Sequence, residues 1–113
     1  NNYRYIRYAD VLLMAAEANN RGGISDSKAQ SYLNQVRSRA GVSAINETGS
    51  ALTQAIWDER RLEFAGEGHR FFDLVRTGQA ANEISGFVAG KHEVFPIPQT
   101  EIDISGLTQN PGY

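Results

Sequence analysis

Apolar residues in the first half of the chain recur at three- and four-residue steps, and that spacing constrains the fold more than any other feature. From Tyr5 to Asn20, the residues Tyr5, Ala9, Leu12, Leu13 and Ala16 fall on one face, while Ala15 and Ala18 add helix propensity. The period fits a helix of about 3.6 residues per turn and not a strand, whose faces alternate at every second residue. Gly22 and Gly23 supply a stop, and Ser25 or Asp26 offers a side-chain oxygen to cap a following helix. The second helix is predicted from Ser27 to Ala40, where Ala29, Leu33, Val36 and Ala40 form the stripe and Gly41 follows.

The opposite face of the second helix, carrying Lys28, Gln30, Asn34, Arg37 and Arg39, is polar. Two amphipathic helices joined by a few residues pack antiparallel, and small alanines on both stripes permit close approach. Residues 1–41 therefore resemble one tetratricopeptide-like helical pair. After a loop of small and polar residues over 42–50, Ser50 or Thr53 can cap a third helix running to Ala65. Its apolar surface comes from Leu52, Ile56, Trp57, Leu62 and Phe64. Gly66 and Gly68 break it, and His69 to Arg76 makes a short fourth helix closed by Gly78, so that 50–78 form a charged helix pair. Helical periodicity is then lost. Gln79 to Lys91 reads as a loop, Pro96 and Pro98 force an extended segment, and Gln99 to Asp103 has room for a single turn. The tail, 79–113, is expected to lie against the helices through Phe95, Ile97 and Leu107. The fold class is all-α: tetratricopeptide-like antiparallel pairs, about four helices, with an irregular Pro-containing C-terminal tail.

A chain of 113 residues supports one domain and, by size scaling, buries roughly 60–70% of the surface its unfolded form exposes. With 41% hydrophobic residues, five Phe, five Tyr and one Trp, it has the material for a packed core and does not read as disordered. A net charge of -2 leaves no electrostatic footprint for nucleic acid or for an anionic membrane surface. The absence of cysteine removes disulfides, thiolate metal sites and a Cys nucleophile together. The longest apolar stretch, Val11 to Ala18, is interrupted by Glu17 and falls short of the roughly 20 residues of a membrane helix. Asn1 to Arg7 carry no initiator Met, no signal pattern and no lipid-attachment Cys, so the chain is expected to be a fragment of a longer protein.

The chemistry-bearing residues concentrate in helices three and four. Glu59, Glu63 and Glu67 are four apart, with His69 and Asp73 close behind, which raises the question of a metal site. Arg60, Arg61, Arg70 and Arg76 sit among them, giving four guanidinium groups against five carboxylates between Asp58 and Arg76. A set so balanced satisfies itself through charge-assisted hydrogen bonds, and spacings such as His-Glu-x-x-His are absent. A glycosidase needs a proton-bearing carboxylic acid facing a carboxylate across a cleft, and arginine neighbours work against the acid. Neither catalytic nor cofactor-binding residues are therefore assigned, and the chain is expected not to be an enzyme. His92 reads as a surface or packing histidine. Trp57 is assigned to the interior; among residues able to stack on a sugar ring, Tyr3 and Tyr113 are the better candidates for exposure.

The run Asp58-Glu59-Arg60-Arg61-Leu62-Glu63-Phe64-Ala65-Gly66-Glu67-Gly68-His69-Arg70-Phe71-Phe72-Asp73-Leu74-Val75-Arg76 resembles the signature of the SusD/RagB family, written ERR-x-E-x-x-x-EG-x-R-aromatic-x-DL-x-R. Tyr5 to Ala18 resembles the helix that precedes that signature. Phe95-Pro96-Ile97-Pro98 through Asn110-Pro111-Gly112-Tyr113 resembles the family's C-terminal ending.

The resemblance implies a lipid-anchored protein of the bacterial outer membrane, exposed at the cell surface of Bacteroidota. Such a protein holds an oligosaccharide or other nutrient at the mouth of a TonB-dependent, SusC-like transporter. It further implies that the anchor and most of the glycan site lie outside these residues. No ligand-binding residue is assigned within them. Glu59, Arg60, Glu63, Glu67, Arg70, Asp73 and Arg76 are expected to form a structural ionic network tying the third helix to the fourth. The competing reading is a helical protein-interaction scaffold with no ligand site of its own.

Overall fold

The computed structural model describes residues 5–113, and among them the fold is all-α: α1 (Tyr8–Arg21), α2 (Asp26–Arg39), α3 (Gly49–Glu63), α4 (Arg70–Arg76), α5 (Ala80–Glu83) and α6 (Gln99–Ser105), with no strand. The chain divides into two compact units, Asn1–His69 and Arg70–Tyr113. The 50–78 segment spans that division.

In the first unit α1, α2 and α3 pack on one another. The buried positions follow the helical period: Leu12, Leu13 and Ala16 on α1, Ala29, Leu33 and Val36 on α2, and Leu52 and Ile56 on α3, joined by Phe64 just past the end of α3. Leu13, Leu33, Leu52 and Ile56 are wholly enclosed, each contributing about 1.5–3 kcal/mol of hydrophobic stabilisation relative to an exposed side chain. Ser25 caps α2, accepting from the Lys28 N–H at 3.3 Å. α1 starts later than the apolar stripe predicts. Arg7, in extended conformation, precedes its first turn, and Tyr5 is 81% exposed instead of joining the core.

The cap of α3 also differs from expectation. Neither Ser50 nor Thr53 caps it. Thr48 occupies the cap position without a side-chain bond, and the Gly49 N–H is satisfied by Asp26 Oδ2 at 2.7 Å, a carboxylate from the first residue of α2. The helix ends at Glu63, ahead of Ala65, and the turn that follows places Gly66 and Gly68 at φ 81° and 82°, where a side chain would be strained. Leu62, expected on the apolar face, is 70% exposed. The inward positions of that turn are held by Glu59 and Arg60, each 5% exposed.

In the second unit α4 packs against α5, a short helix inside the segment expected to be loop. Leu74 and Ala80 are its buried apolar residues. The single turn expected at Gln99 to Asp103 extends to two turns as α6, closed by Gly106. The tail folds on itself: the Gln109 side-chain amide accepts from the Ile97 N–H at 2.8 Å and donates to the Ile97 carbonyl at 2.9 Å. It thereby occupies the place a neighbouring strand would take. Asn110 donates to the Phe95 carbonyl at 2.6 Å, and the Tyr113 hydroxyl to that of Val94 at 3.0 Å. Phe95 is 74% and Leu107 48% exposed, so neither is covered as the sequence led us to expect, while Ile97 is half-buried.

Candidate functional site

The acidic and basic residues Glu59, Arg60, Glu63 and Glu67 of the signature run, which lie in the first unit, find partners far away in sequence. In the first unit Arg60 Nη1 donates to Asp10 Oδ1 at 2.7 Å, joining α3 to α1 with both side chains about nine-tenths enclosed or more. Glu59 accepts from Arg37 at the end of α2 at 2.5 Å. Glu63 takes Arg7 at 2.7 Å on one oxygen and Arg39 on the other. Arg7 also grips Glu67 with two parallel bonds of 3.0 and 2.8 Å, and donates to the Glu63 carbonyl at 2.9 Å. Hydrogen bonds to Glu67 and then Glu63 raise the Arg7 pKa above its ordinary value, reinforcing a guanidinium that is charged at neutral pH.

Phe64 is the apolar hub of this cluster. The guanidinium carbons of Arg7 and Arg60 lie 4.8 and 5.1 Å from its ring centre, and the His69 ring packs at 4.8 Å. Stacked, weakly hydrated guanidinium groups combine the charge pairs with apolar burial, which an ammonium would do less well. In the second unit Arg70 reaches Glu83 of α5 at 3.3 Å, and Arg76 pairs with Asp73 one turn earlier at 2.8 Å.

A second polar knot ties the three helices of the first unit at their other junction. The Asn20 amide donates to Asp26 Oδ1 at 2.7 Å and to the Gly49 carbonyl at 3.0 Å, while Thr53 donates to the Asn20 oxygen. The Asn20 amide, and after it the Gly49 N–H, hold the Asp26 carboxyl below the ordinary aspartate range. In the second unit the Gly90 N–H does the same for Glu93.

Among the described residues no group of three or more His, Asp or Glu side chains is placed to hold a metal ion. The carboxylates of Glu59, Glu63 and Glu67 are each bound to at least one guanidinium group. Trp57 is half-buried, with the Arg21 guanidinium 5.5 Å from its ring, and its buried Nε1 has no hydrogen-bond partner. Tyr3 lies outside the described residues. Tyr113 is 44% exposed.

Aromatic residues line hollows among the described residues. One, of about 370 Å³, lies between α1 and α2 beside Tyr8, Gln35 and Arg39. Another, of about 320 Å³ in the second unit, is walled by Phe71, Phe87, His92, Phe95 and Tyr113. His92 has a defined role there: its Nδ1 accepts from the Val88 N–H at 2.9 Å and its ring meets Phe87 edge-on.

Sequence reasoning did not identify Asp10, Arg7, Arg37 and Arg39 as partners of the signature run. A signal for Asp10 existed. It precedes Leu13, Glu17 and Asn20 at three- and four-residue steps, on a helical face that turns inward, where a charge requires a partner.

A model of the SusD family matches residues 1–94 of the chain. The SusD-like protein P2 of Formosa agariphila is 34% identical over 132 residues, which take in 99% of this chain and 26% of the relative. The crystal structure of a SusD homologue from Bacteroides thetaiotaomicron superposes with a TM-score of 0.85 at 38% identity, over 94% of this chain and 24% of its own. The surface glycan-binding protein A of Bacteroides uniformis superposes with a TM-score of 0.78 at 40% identity, over 97% of this chain and 28% of its own. The chain thus spans about a quarter of the length of these relatives.

Proposed function

This chain belongs to the SusD family, and on that premise we propose that it is the C-terminal helical part of a cell-surface glycan-binding protein. In this reading the whole protein is a lipid-anchored component of the bacterial outer membrane that hands its ligand to a TonB-dependent, SusC-like transporter. The observation that carries the proposal is the 40% identity, over nearly all of this chain, to a protein named for surface glycan binding. The part played by these residues is mainly structural, with most of the ligand surface elsewhere in the protein. Glu59, Arg60, Glu63, Glu67, Arg70, Asp73 and Arg76 act as internal clasps, and the protein binds without catalysing. Glu59 and Glu63, whose oxygens are taken up by Arg37, Arg7 and Arg39, support that view.

A second reading, a scaffold for protein partners, draws on the apolar outward residues of α1, where Tyr8, Val11 and Met14 are 72%, 45% and 47% exposed. Affinity gel electrophoresis of this chain and of the longer protein, against a panel of soluble polysaccharides, separates the two. Retardation of the longer protein alone fits glycan capture with these residues as support. Retardation of neither, together with co-purification of a protein partner, fits the scaffold.

A further inference from the structure

The second unit leaves uncovered the kind of surface a folded protein usually hides. Phe95 is 74% exposed, Tyr113 44% and Val94 42%, and all three border one open hollow of about 320 Å³ that Phe71 and Phe87 also wall. A unit as small as Arg70–Tyr113 buries too little of itself to be stable on that burial alone. Its buried apolar residues are Leu74 and Ala80. Yet the rim of the hollow is built with care. Asn110 and Tyr113 fasten the backbone on either side of Phe95, and the His92 ring is fixed by its bond from the Val88 N–H. A frame so well tied around an open apolar space is prepared to receive something.

Resting on the reading that these residues are part of a longer protein, we propose that this hollow is the receptacle for a large apolar side chain from the portion of that same protein outside residues 1–113. The chemistry of the walls favours such an occupant over a sugar. A sugar ring presents several hydroxyl groups that each need a donor or acceptor. Here the Tyr113 hydroxyl has given its hydrogen to the Val94 carbonyl and His92 Nδ1 accepts from the Val88 N–H, which leaves the Ser85 hydroxyl, His92 Nε2 and the Tyr113 oxygen as an acceptor among the lining side chains. An aliphatic or aromatic side chain makes no such demand, and its burial against four aromatic rings is favourable. Chain length favours an intramolecular occupant. About three-quarters of each compared relative lies outside the region matched here, and a tethered segment acts at a high effective concentration that a second copy cannot match in dilute solution.

The test uses the longer protein, with Phe95 replaced by the photo-cross-linker p-benzoylphenylalanine, irradiated and mapped by peptide mass spectrometry. The expected product is an intramolecular cross-link to a peptide outside residues 1–113. Cross-links confined to residues 1–113, a cross-linked dimer, attachment to an added oligosaccharide, or no cross-link would each overturn the proposal. In parallel, Phe95→Ser in the longer protein is expected to lower its melting temperature by roughly 5 °C. A change within about 1 °C, as for an exposed bystander, counts against it. Intact mass of the natural protein tests the underlying reading separately: a natural chain ending at these 113 residues removes that premise, whereas a longer chain without the cross-link refutes the receptacle alone.

Discussion

In the first unit, arginines from the entry to α1 and from the end of α2 cross to the carboxylates at the end of α3, and Arg7 lies over Phe64 at the edge of a core in which Leu13, Leu33, Val36, Leu52 and Ile56 are wholly enclosed. In the second unit the pairs are local and wetter. Arg70 and Glu83 are 37% and 46% exposed, and the tail is held by side-chain amides bonding to backbone. The same mix of residue types, in one continuous signature, thus does two jobs. Where helices have already closed a core, a charge pair locks elements together, and its value lies in the cost of breaking it. Where no core has closed, hydrogen bonds must shape the backbone, and the apolar residues remain outside.

The contrast is most directly broken at Arg60. Arg60→Ala strands the Asp10 carboxylate in the interior and is expected to cost about 3–5 kcal/mol in urea denaturation of the chain. Adding Asp10→Ala should recover part of that loss. A single-variant loss below about 1 kcal/mol would mean that the buried pair does not lock the first unit. Next comes Gln109→Ala, which leaves the half-buried Ile97 N–H and carbonyl unpaired, at about 1–2 kcal/mol. Its signature is local: hydrogen exchange at the Ile97 amide should accelerate, with amides of the first-unit core unchanged.

A smaller effect is expected at Asp26, whose carboxyl is held below the ordinary aspartate value by the Asn20 amide and the Gly49 N–H. A depressed folded-state pKa means that the unfolded chain binds the proton more readily. The stabilisation is therefore complete above the ordinary value of about 3.9 and is lost as pH falls through the lower folded value. Melting temperature followed from pH 6 down to 3 should fall at the acid end, and Asp26→Asn should flatten that part of the fall; an unaltered profile would remove Asp26 from the account. The smallest effect belongs to Arg70→Ala, at about 1 kcal/mol or less for a pair so open to solvent. A loss approaching that of Arg60→Ala would erase the distinction between the two units.

The helices of the first unit were legible because each is written in a local period. The stripes at Leu12, Leu13 and Ala16, at Ala29, Leu33 and Val36, and at Leu52 and Ile56 are the ones that close the core. The reading erred where apolar character and position parted. Leu62 is apolar but sits on the outer side of its turn, while Glu59 and Arg60 hold the inner side. Hydrophobicity alone places Leu62 inside, and only the availability of Arg37 and Asp10 across the packed helices allows the charges to go there instead. The α3 cap is not legible in the local sequence for a related reason: its acceptor, Asp26, lies on another helix, whereas a side-chain cap is ordinarily supplied by the residue next to the first turn. Phe95 was misplaced because apolar residues in a non-periodic tail announce a need for cover without naming what covers them.

The sequence by itself determined the all-α class, the glycine-closed turns, and a charged signature with the family it resembles, because each depends on residues within a few turns of one another. Only the tertiary structure decided which arginine meets which carboxylate, that Asp26 caps a helix it does not belong to, and that the aromatic residues of the tail frame an open hollow. A helical period is enforced by bonds four residues apart, whereas the partner of a charge is chosen by packing that brings residues 22 to 60 positions apart to within hydrogen-bonding distance.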